Sequence, residues 1–220
     1  MPPPKPWLRN LPNWLTVMRM LAVPIVVLIM LFIWPDYPTL RPEETVIDWW
    51  RNILNSVNPR GENNEILSFW AGFIFILASI TDLLDGYLAR KWQVVSNLGK
   101  MLDPLADKLM VMSAMIMLIP LGRLPAWMAV VVMARETSVT ALRAIAASEG
   151  KTVIEASALG KYKTIFQIIG ISGLLIHYED SIFKASFHDM GAIMFLVALF
   201  FTVWSGVDYF YKYWTTLTKG

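Results

Sequence analysis

The sequence predicts an all-α protein that crosses a membrane six times, and three observations support this prediction. Of the 220 residues, 56% are hydrophobic and only 16% are charged, whereas soluble domains are about a quarter charged. Apolar stretches of about 20 residues, the length that spans a bilayer, recur along the whole chain. Basic residues concentrate in alternate connections between these stretches, as expected for connections that face the cytoplasm.

Six stretches qualify as spans, although several carry charged residues. The first begins at Trp14, is too long for a signal peptide and ends without a small-residue cleavage pattern, so we expect it to be retained. Gly122 and Pro125 predict a tight turn between the third and fourth spans. A polar run at 177–180 separates the last two. The predicted spans are 14–34, 66–88, 98–120, 125–147, 157–177 and 190–211.

The connections predict how the chain is placed in the membrane. Residues 1–13 combine tryptophan and leucine with two basic residues, which favours a short interfacial segment over the alternative of a loose polar tail. Residues 35–65 form the longest connection and are predicted to be periplasmic. The basic groups around 90–91 and 143–163 then face the cytoplasm of a bacterial inner membrane, together with both termini. We expect residues 1–220 to form a single domain.

The composition also excludes several classes of function. The net charge is only +2, and no basic run is interleaved with aromatic residues, so nucleic acid is not an expected partner. The chain has no cysteine, which excludes disulfides, zinc–thiolate sites and thiol nucleophiles.

Four aspartates provide the strongest functional signal. Asp82 and Asp85 lie three residues apart near the end of the second span, and Asp103 and Asp107 lie four apart near the start of the third. Each spacing places both members of a pair on one helix face. Because the intervening connection is short, the two helices should be antiparallel neighbours. The four carboxylates are therefore predicted to converge.

Clustered carboxylates at membrane depth usually line a functional cavity, although ordinary interhelical salt bridges are the alternative. Oxygen ligands without histidine or cysteine suit Mg²⁺ or Mn²⁺. Two such ions could hold a pyrophosphate, and one carboxylate could accept a proton from an attacking hydroxyl. Gly86 and Gly99 would let a bulky ligand approach the backbone, and Arg90 offers a planar guanidinium for phosphate oxygens.

The pattern Asp-x2-Asp-Gly-x2-Ala-Arg-x8-Gly-x3-Asp-x3-Asp, complete here from Asp82 to Asp107, is identified as that of the CDP-alcohol phosphatidyltransferase family. The six-helix layout also resembles the fold of this family. The resemblance implies that Asp82, Asp85 and Asp103 hold two metal ions, and that Asp107 shares a metal and acts as the general base. It further implies that CDP-diacylglycerol is bound by Asn13, Thr16, Gly86, Ala89, Arg90, Ser96 and Gly99.

Three other segments indicate the acceptor alcohol. Residues 11–19, 134–143 and 160–164 resemble the bacterial subgroup that uses sn-glycerol 3-phosphate and makes phosphatidylglycerophosphate and CMP. A dianionic acceptor needs cations beside the acidic site. Salt bridging of Arg135 to Glu136, and membrane anchoring by the other three basic residues, are the alternatives. The predicted acceptor-binding residues are Arg135, Arg143, Lys161 and Lys163.

Other functions remain open at this stage. Within the same family the acceptor could be serine, inositol phosphate or phosphatidylglycerol. An intramembrane prenyl-transfer enzyme also uses paired aspartates, but it would lack the Asp-Gly-x2-Ala-Arg core. A cation transporter would more often have broken helices near the midplane, whereas the aspartates here lie near the ends of their predicted spans. We expect a homodimer that acts on membrane lipid.

Overall fold

The computed structural model describes residues 11–33, 56, 62–92, 97–148, 158–176 and 187–218, and it contains no strand within these ranges. Each predicted span corresponds to one helix. The largest difference lies at the end of the last helix, which continues past residue 211 to Thr218. Most of the segments 1–13 and 35–65 lie outside the described residues. The helices are α1 (Leu11–Leu31), α2 (Asn64–Trp92), α3 (Asn97–Leu118), α4 (Ala126–Ser148), α5 (Ala158–Leu175) and α6 (Phe187–Thr218).

The described part of the bundle has apolar side chains on its outside and several polar ones inside. Trp14, Val130 and Val207 are each more than 60% exposed, while Arg19 and Thr202 are buried. A soluble protein rarely exposes so large an apolar surface. Several buried hydroxyls donate to carbonyls of their own helix, as Thr202 Oγ1 does to Ala198 O at 2.7 Å. This distribution of polarity is that of a membrane protein.

Three of the described helices are long and apolar enough to cross a membrane: Trp14–Leu31, Asn64–Asp82 and Phe187–Tyr213. A shorter apolar stretch, Tyr162–Leu175, lies in α5. Charged residues interrupt the apolar sequences of α3 and α4, and two of them, Asp107 and Glu136, line the pocket described below. The topology of six membrane spans therefore stays a prediction.

Helices α5 and α6 cross with their backbones in direct contact. A Cβ atom built on Gly191 would lie 2.7 Å from the carbonyl carbon of Gly173, and one on Gly170 would lie 2.7 Å from the nitrogen of Phe195. Such distances leave no room for a side chain. Small residues that allow close backbone approach are a common basis of helix association in membranes.

Replacing Gly191 by alanine is therefore expected to destabilise the protein by about 1–3 kcal/mol, the usual cost of overpacking. The added methyl group meets backbone atoms of α5, which cannot rotate away. Thermal unfolding in detergent would measure the loss. The neighbouring Met190→Ala is the control, because Met190 is 52% exposed and its truncation should change stability little. Equal melting temperatures for Gly191→Ala and the wild type would contradict the close crossing.

The turn between α3 and α4 holds one end of the bundle together. Gly122 adopts a φ of 79°, as suits the predicted tight turn. The next residue, Arg123, is 4% exposed and donates hydrogen bonds to Ser68 Oγ (3.0 Å) and to Leu175 O (3.2 Å). It thereby joins the start of α2 to the end of α5. The predicted catalytic residues lie toward the opposite end.

Candidate active site

The carboxylate of Asp82 is paired with a buried arginine from the first helix. Arg19 Nη1 lies 2.5 Å from Asp82 Oδ1, and the Arg19 side chain is fully buried. A charge enclosed among apolar helices needs an opposite charge, because burial removes its hydration. Thr16, a predicted CDP-diacylglycerol ligand, is buried one turn earlier on the same helix. The structure therefore places α1 directly against the aspartate motif.

Asp107 lies among charges contributed by four helices. Its carboxylate interacts electrostatically with Asp82 of α2, Arg19 of α1, Lys163 of α5 and Glu136 of α4. Asp82 and Asp107, one aspartate from each predicted pair, are thus close enough to interact electrostatically. The adjacent Lys108 hydrogen-bonds to Thr140 of α4.

Glu136 joins two of the predicted acceptor-binding cations. It accepts a hydrogen bond of 2.9 Å from Arg135 Nη1 and one from Lys163 Nζ. Arg135 also donates from Nη2 to Ser205 Oγ of α6 at 2.9 Å. The Lys163 side chain is only 7% exposed, so it does not anchor the protein at a headgroup surface. Arg135 does pair with Glu136, as the alternative interpretation of the sequence expected.

A pocket opens beside this cluster, between α3, α4 and α5. Its polar wall consists of Asp107, Lys108, Glu136, Lys163 and Thr164. Its deeper wall is apolar except for one glutamine and is formed by Val111, Met112, Met115, Gln167 and Ile168. An acid and a cation in one pocket suit a ligand that presents a hydroxyl and an anionic group together.

The remaining predicted residues are placed only in part. Arg143 lies on α4 with its guanidinium carbon 5.3 Å from the ring centre of Tyr209. It is about two helical turns from Arg135. Ser96 lies outside the described residues. For eight further predicted residues the structure describes the helix backbone but not the surroundings of the side chain: Asn13, Asp85, Gly86, Ala89, Arg90, Gly99, Asp103 and Lys161.

Sequence reasoning missed two members of the cluster. Arg19 interrupts an otherwise apolar first span, and an ionisable residue inside a span is itself a signal of function. Glu136 was considered only as a partner of Arg135, whereas the structure shows it bonded to Lys163 as well. No feature of the sequence indicates that second bond, which depends on how α4 and α5 pack.

The donor groups fit a divalent cation that prefers oxygen ligands. Among the described side chains, no three acidic or histidine groups form a metal-binding arrangement, but this description lacks Asp85 and Asp103. Asp82 and Asp107 supply carboxylates, the ligands that Mg²⁺ and Mn²⁺ favour. The acids Asp82, Asp107 and Glu136 are matched in charge by Arg19, Arg135 and Lys163.

Comparisons with known proteins identify the family to which the chain is similar. A family model described as CDP-alcohol phosphatidyltransferase matches residues 9–204. A protein of Bacillus subtilis (strain 168) is 40% identical over 208 residues, covering 94% of this chain and 97% of that protein. One from Rickettsia typhi is 31% identical, covering 92% and 96%. One from Haemophilus influenzae is 36% identical, covering 64% and 75%. All three are named CDP-diacylglycerol–glycerol-3-phosphate 3-phosphatidyltransferase.

Proposed function

The chain belongs to the CDP-alcohol phosphatidyltransferase family, and on this premise we propose that it transfers the phosphatidyl group of CDP-diacylglycerol to sn-glycerol 3-phosphate. The observation that carries the proposal is the pocket in which Asp107 lies beside Lys163 and Glu136. The family match decides against a prenyltransferase or a cation transporter. The names of the relatives support the choice of acceptor.

The reaction removes one proton and replaces a phosphoanhydride bond by a phosphodiester bond. The 1-hydroxyl oxygen of glycerol 3-phosphate forms a bond to the β-phosphorus, which carries the diacylglycerol. The bond between that phosphorus and the oxygen leading to the α-phosphate breaks, and CMP leaves. Asp107 accepts the hydroxyl proton, since a carboxylate is a suitable base when it is held within hydrogen-bond reach. Thr164, in the same pocket, is placed to help orient the acceptor.

The four aspartates Asp82, Asp85, Asp103 and Asp107 would hold two Mg²⁺ or Mn²⁺ ions. Such ions, when bound, polarise the phosphorus and stabilise the charge on the departing CMP. Arg19 supports this arrangement from the protein side, because its ion pair fixes the orientation of Asp82. Asn13, Thr16, Gly86, Ala89, Arg90, Ser96 and Gly99 are proposed to contact CDP-diacylglycerol.

The acceptor phosphate is proposed to bind Arg135, Arg143, Lys161 and Lys163. Lys163 has the best support from the structure, because its buried ammonium group faces the same pocket as Asp107. Glu136 holds this ammonium group in place and partly neutralises it. An incoming phosphate would therefore bind two cations, Arg135 and Lys163, that Glu136 already holds in position.

We further propose that the protein lies in a bacterial inner membrane as a homodimer, with the aspartates and both termini facing the cytoplasm. The asymmetry of basic residues in the sequence supports the orientation in the membrane. Both glycerol 3-phosphate and CMP are water-soluble, so a cytoplasmic opening would give them direct access.

The proposed function is tested with purified protein, CDP-diacylglycerol and a panel of acceptors. Glycerol 3-phosphate should support CMP release coupled to phosphatidyl transfer. Serine, inositol phosphate and phosphatidylglycerol should support far less. Preference for any of these three would refute the acceptor assignment while leaving the transfer chemistry in place. No transfer to any alcohol would refute the function as a whole.

The role of Lys163 gives a second prediction. Lys163→Gln should raise the KM for glycerol 3-phosphate by about 10- to 100-fold, the value of a hydrogen bond to a charged group. The KM for CDP-diacylglycerol should change much less. Glu136 keeps Arg135 as a partner in this variant, so folding should persist. The control is Lys212→Gln, which removes a half-exposed lysine paired with Asp208. An unchanged acceptor KM in Lys163→Gln would remove Lys163 from the acceptor site.

A further inference from the structure

The contact between α4 and α6 contains polar atoms for which the described part of the protein supplies no partner. We call this contact, formed by Arg135, Arg143, Ser205 and Tyr209, the α4–α6 seam. Among the described side chains, Arg135 Nε, Arg143 Nε and Tyr209 Oη are buried without a hydrogen-bond partner. Buried polar groups nearly always have partners, so three in one seam require an explanation.

The ring of Tyr209 is explained by packing, but its hydroxyl group is not. Tyr209 is only 5% exposed, and the Arg143 guanidinium carbon lies 5.3 Å from its ring centre, within the range of a cation–π contact. A phenylalanine would make the same ring contacts. The hydroxyl instead carries the cost of burying a polar group without a partner. Its presence is accounted for if a ligand supplies the missing partner.

The chemistry of the seam indicates what this ligand must offer. An arginine Nε–H can only donate a hydrogen bond, and a tyrosine hydroxyl donates readily. The missing group must therefore accept hydrogen bonds, and the two positive charges of Arg135 and Arg143 favour an anion. Arg135 is already held by Glu136 and Ser205, which leaves Arg143 and Tyr209 as the less committed pair. A phosphate oxygen meets these requirements.

We propose that Tyr209 is a specificity-determining residue whose hydroxyl donates a hydrogen bond to the acceptor's phosphate, beside Nε–H of Arg143. This inference rests on the proposed function, which places that phosphate near Arg143. Tyr209 would then favour phosphorylated over unphosphorylated alcohols. The Tyr209 ring keeps the Arg143 guanidinium in position through the cation–π contact. The Tyr209 hydroxyl recognises the phosphate by donating a hydrogen bond to it.

The test is Tyr209→Phe, which removes the hydroxyl and keeps the ring. The KM for glycerol 3-phosphate should rise about 10-fold or more, with far smaller changes in kcat and in the KM for CDP-diacylglycerol. The preference for glycerol 3-phosphate over glycerol should fall by a similar factor. Tyr213→Phe is the control, because Tyr213 is buried one turn later on the same helix and its change should leave both KM values alone.

Thermal unfolding supplies a readout that does not depend on turnover. Without substrate, Tyr209→Phe should melt at or above the wild-type temperature, since an unpartnered hydroxyl stabilises nothing. Added glycerol 3-phosphate should raise the melting temperature of the wild type more than that of the variant. A lower melting temperature of the substrate-free variant would show that the hydroxyl already has a structural partner, such as an ordered water, and would overturn the inference.

The kinetic outcomes separate this inference from the proposed function. If the wild type uses glycerol 3-phosphate and the acceptor KM of Tyr209→Phe stays within about twofold of it, the role of Tyr209 is wrong and the function stands. If the wild type does not use glycerol 3-phosphate, the proposed function fails and the inference fails with it.

Discussion

Replacing Asp107 by asparagine is expected to lower kcat by about 10²- to 10⁴-fold, the usual contribution of a general base. The amide keeps the size of the side chain but cannot accept the proton of the attacking hydroxyl. Asp107 is also a proposed metal ligand, so the loss could exceed this range. The affinity for CDP-diacylglycerol should change less. The residues proposed to contact it lie elsewhere in the sequence, on α1, near the end of α2, in the connection that follows and at the start of α3.

Steady-state kinetics with each substrate varied in turn would measure this effect. Asp189→Asn is the matched control, since Asp189 lies in the first turn of α6, is 68% exposed and is far along that helix from Ser205 and Tyr209. It should retain wild-type kinetics. A kcat for Asp107→Asn within tenfold of the wild type would exclude Asp107 as the base. Glu136, whose carboxylate lines the same pocket, would then be the next candidate.

Removal of divalent cations is expected to reduce activity by about 10³-fold or more. Metal ions in such sites contribute several kcal/mol of transition-state stabilisation, and each 1.4 kcal/mol corresponds to about tenfold in rate. Activity should return with Mg²⁺ or Mn²⁺. A chelator already saturated with Mg²⁺ is the control, because it isolates metal removal from any direct effect of the chelator. Full activity in metal-free buffer would refute the proposed metal site.

Binding of the ion can be followed without catalysis. Mg²⁺ should raise the melting temperature of the wild type, because a ligand that binds the folded state stabilises it. The rise should be smaller in Asp82→Asn, which loses a carboxylate but remains next to Arg19. An equal rise in both proteins would place the ion elsewhere.

The sequence predicts the positions of the helices correctly, whereas the roles that it assigns to the site residues stay predictions. Apolar runs of bilayer length leave few alternatives for helix positions, so α3 and α4 begin within one residue of the prediction. The three- and four-residue spacings put each aspartate pair on one face, and the structure brings Asp82 and Asp107 into one charged cluster. Asp85 and Asp103 stay predictions.

Contacts between distant helices were not predictable in the same way. The pairs Arg19–Asp82 and Lys163–Glu136 depend on which helices are neighbours and how each is rotated about its axis. The hydrophobic periodicity within one helix determines neither which helices are its neighbours nor how it is rotated. The same holds for the hydrogen bonds of Arg123 to Ser68 and Leu175, which lie more than 50 positions away in the sequence. The unpartnered Tyr209 hydroxyl became visible only once its surroundings were known.

The backbone contact between Gly173 and Gly191 sets a limit for anyone who wishes to evolve this protein in the laboratory. A library that randomises α5 and α6 to change acceptor choice should keep both glycines fixed, because every other residue adds an atom where there is no room. Outward positions such as Trp204, 56% exposed, can instead absorb many apolar substitutions, since lipid chains rearrange around them. The positions to randomise are the side chains that line the pocket, which are neither locked by backbone contact nor exposed to lipid.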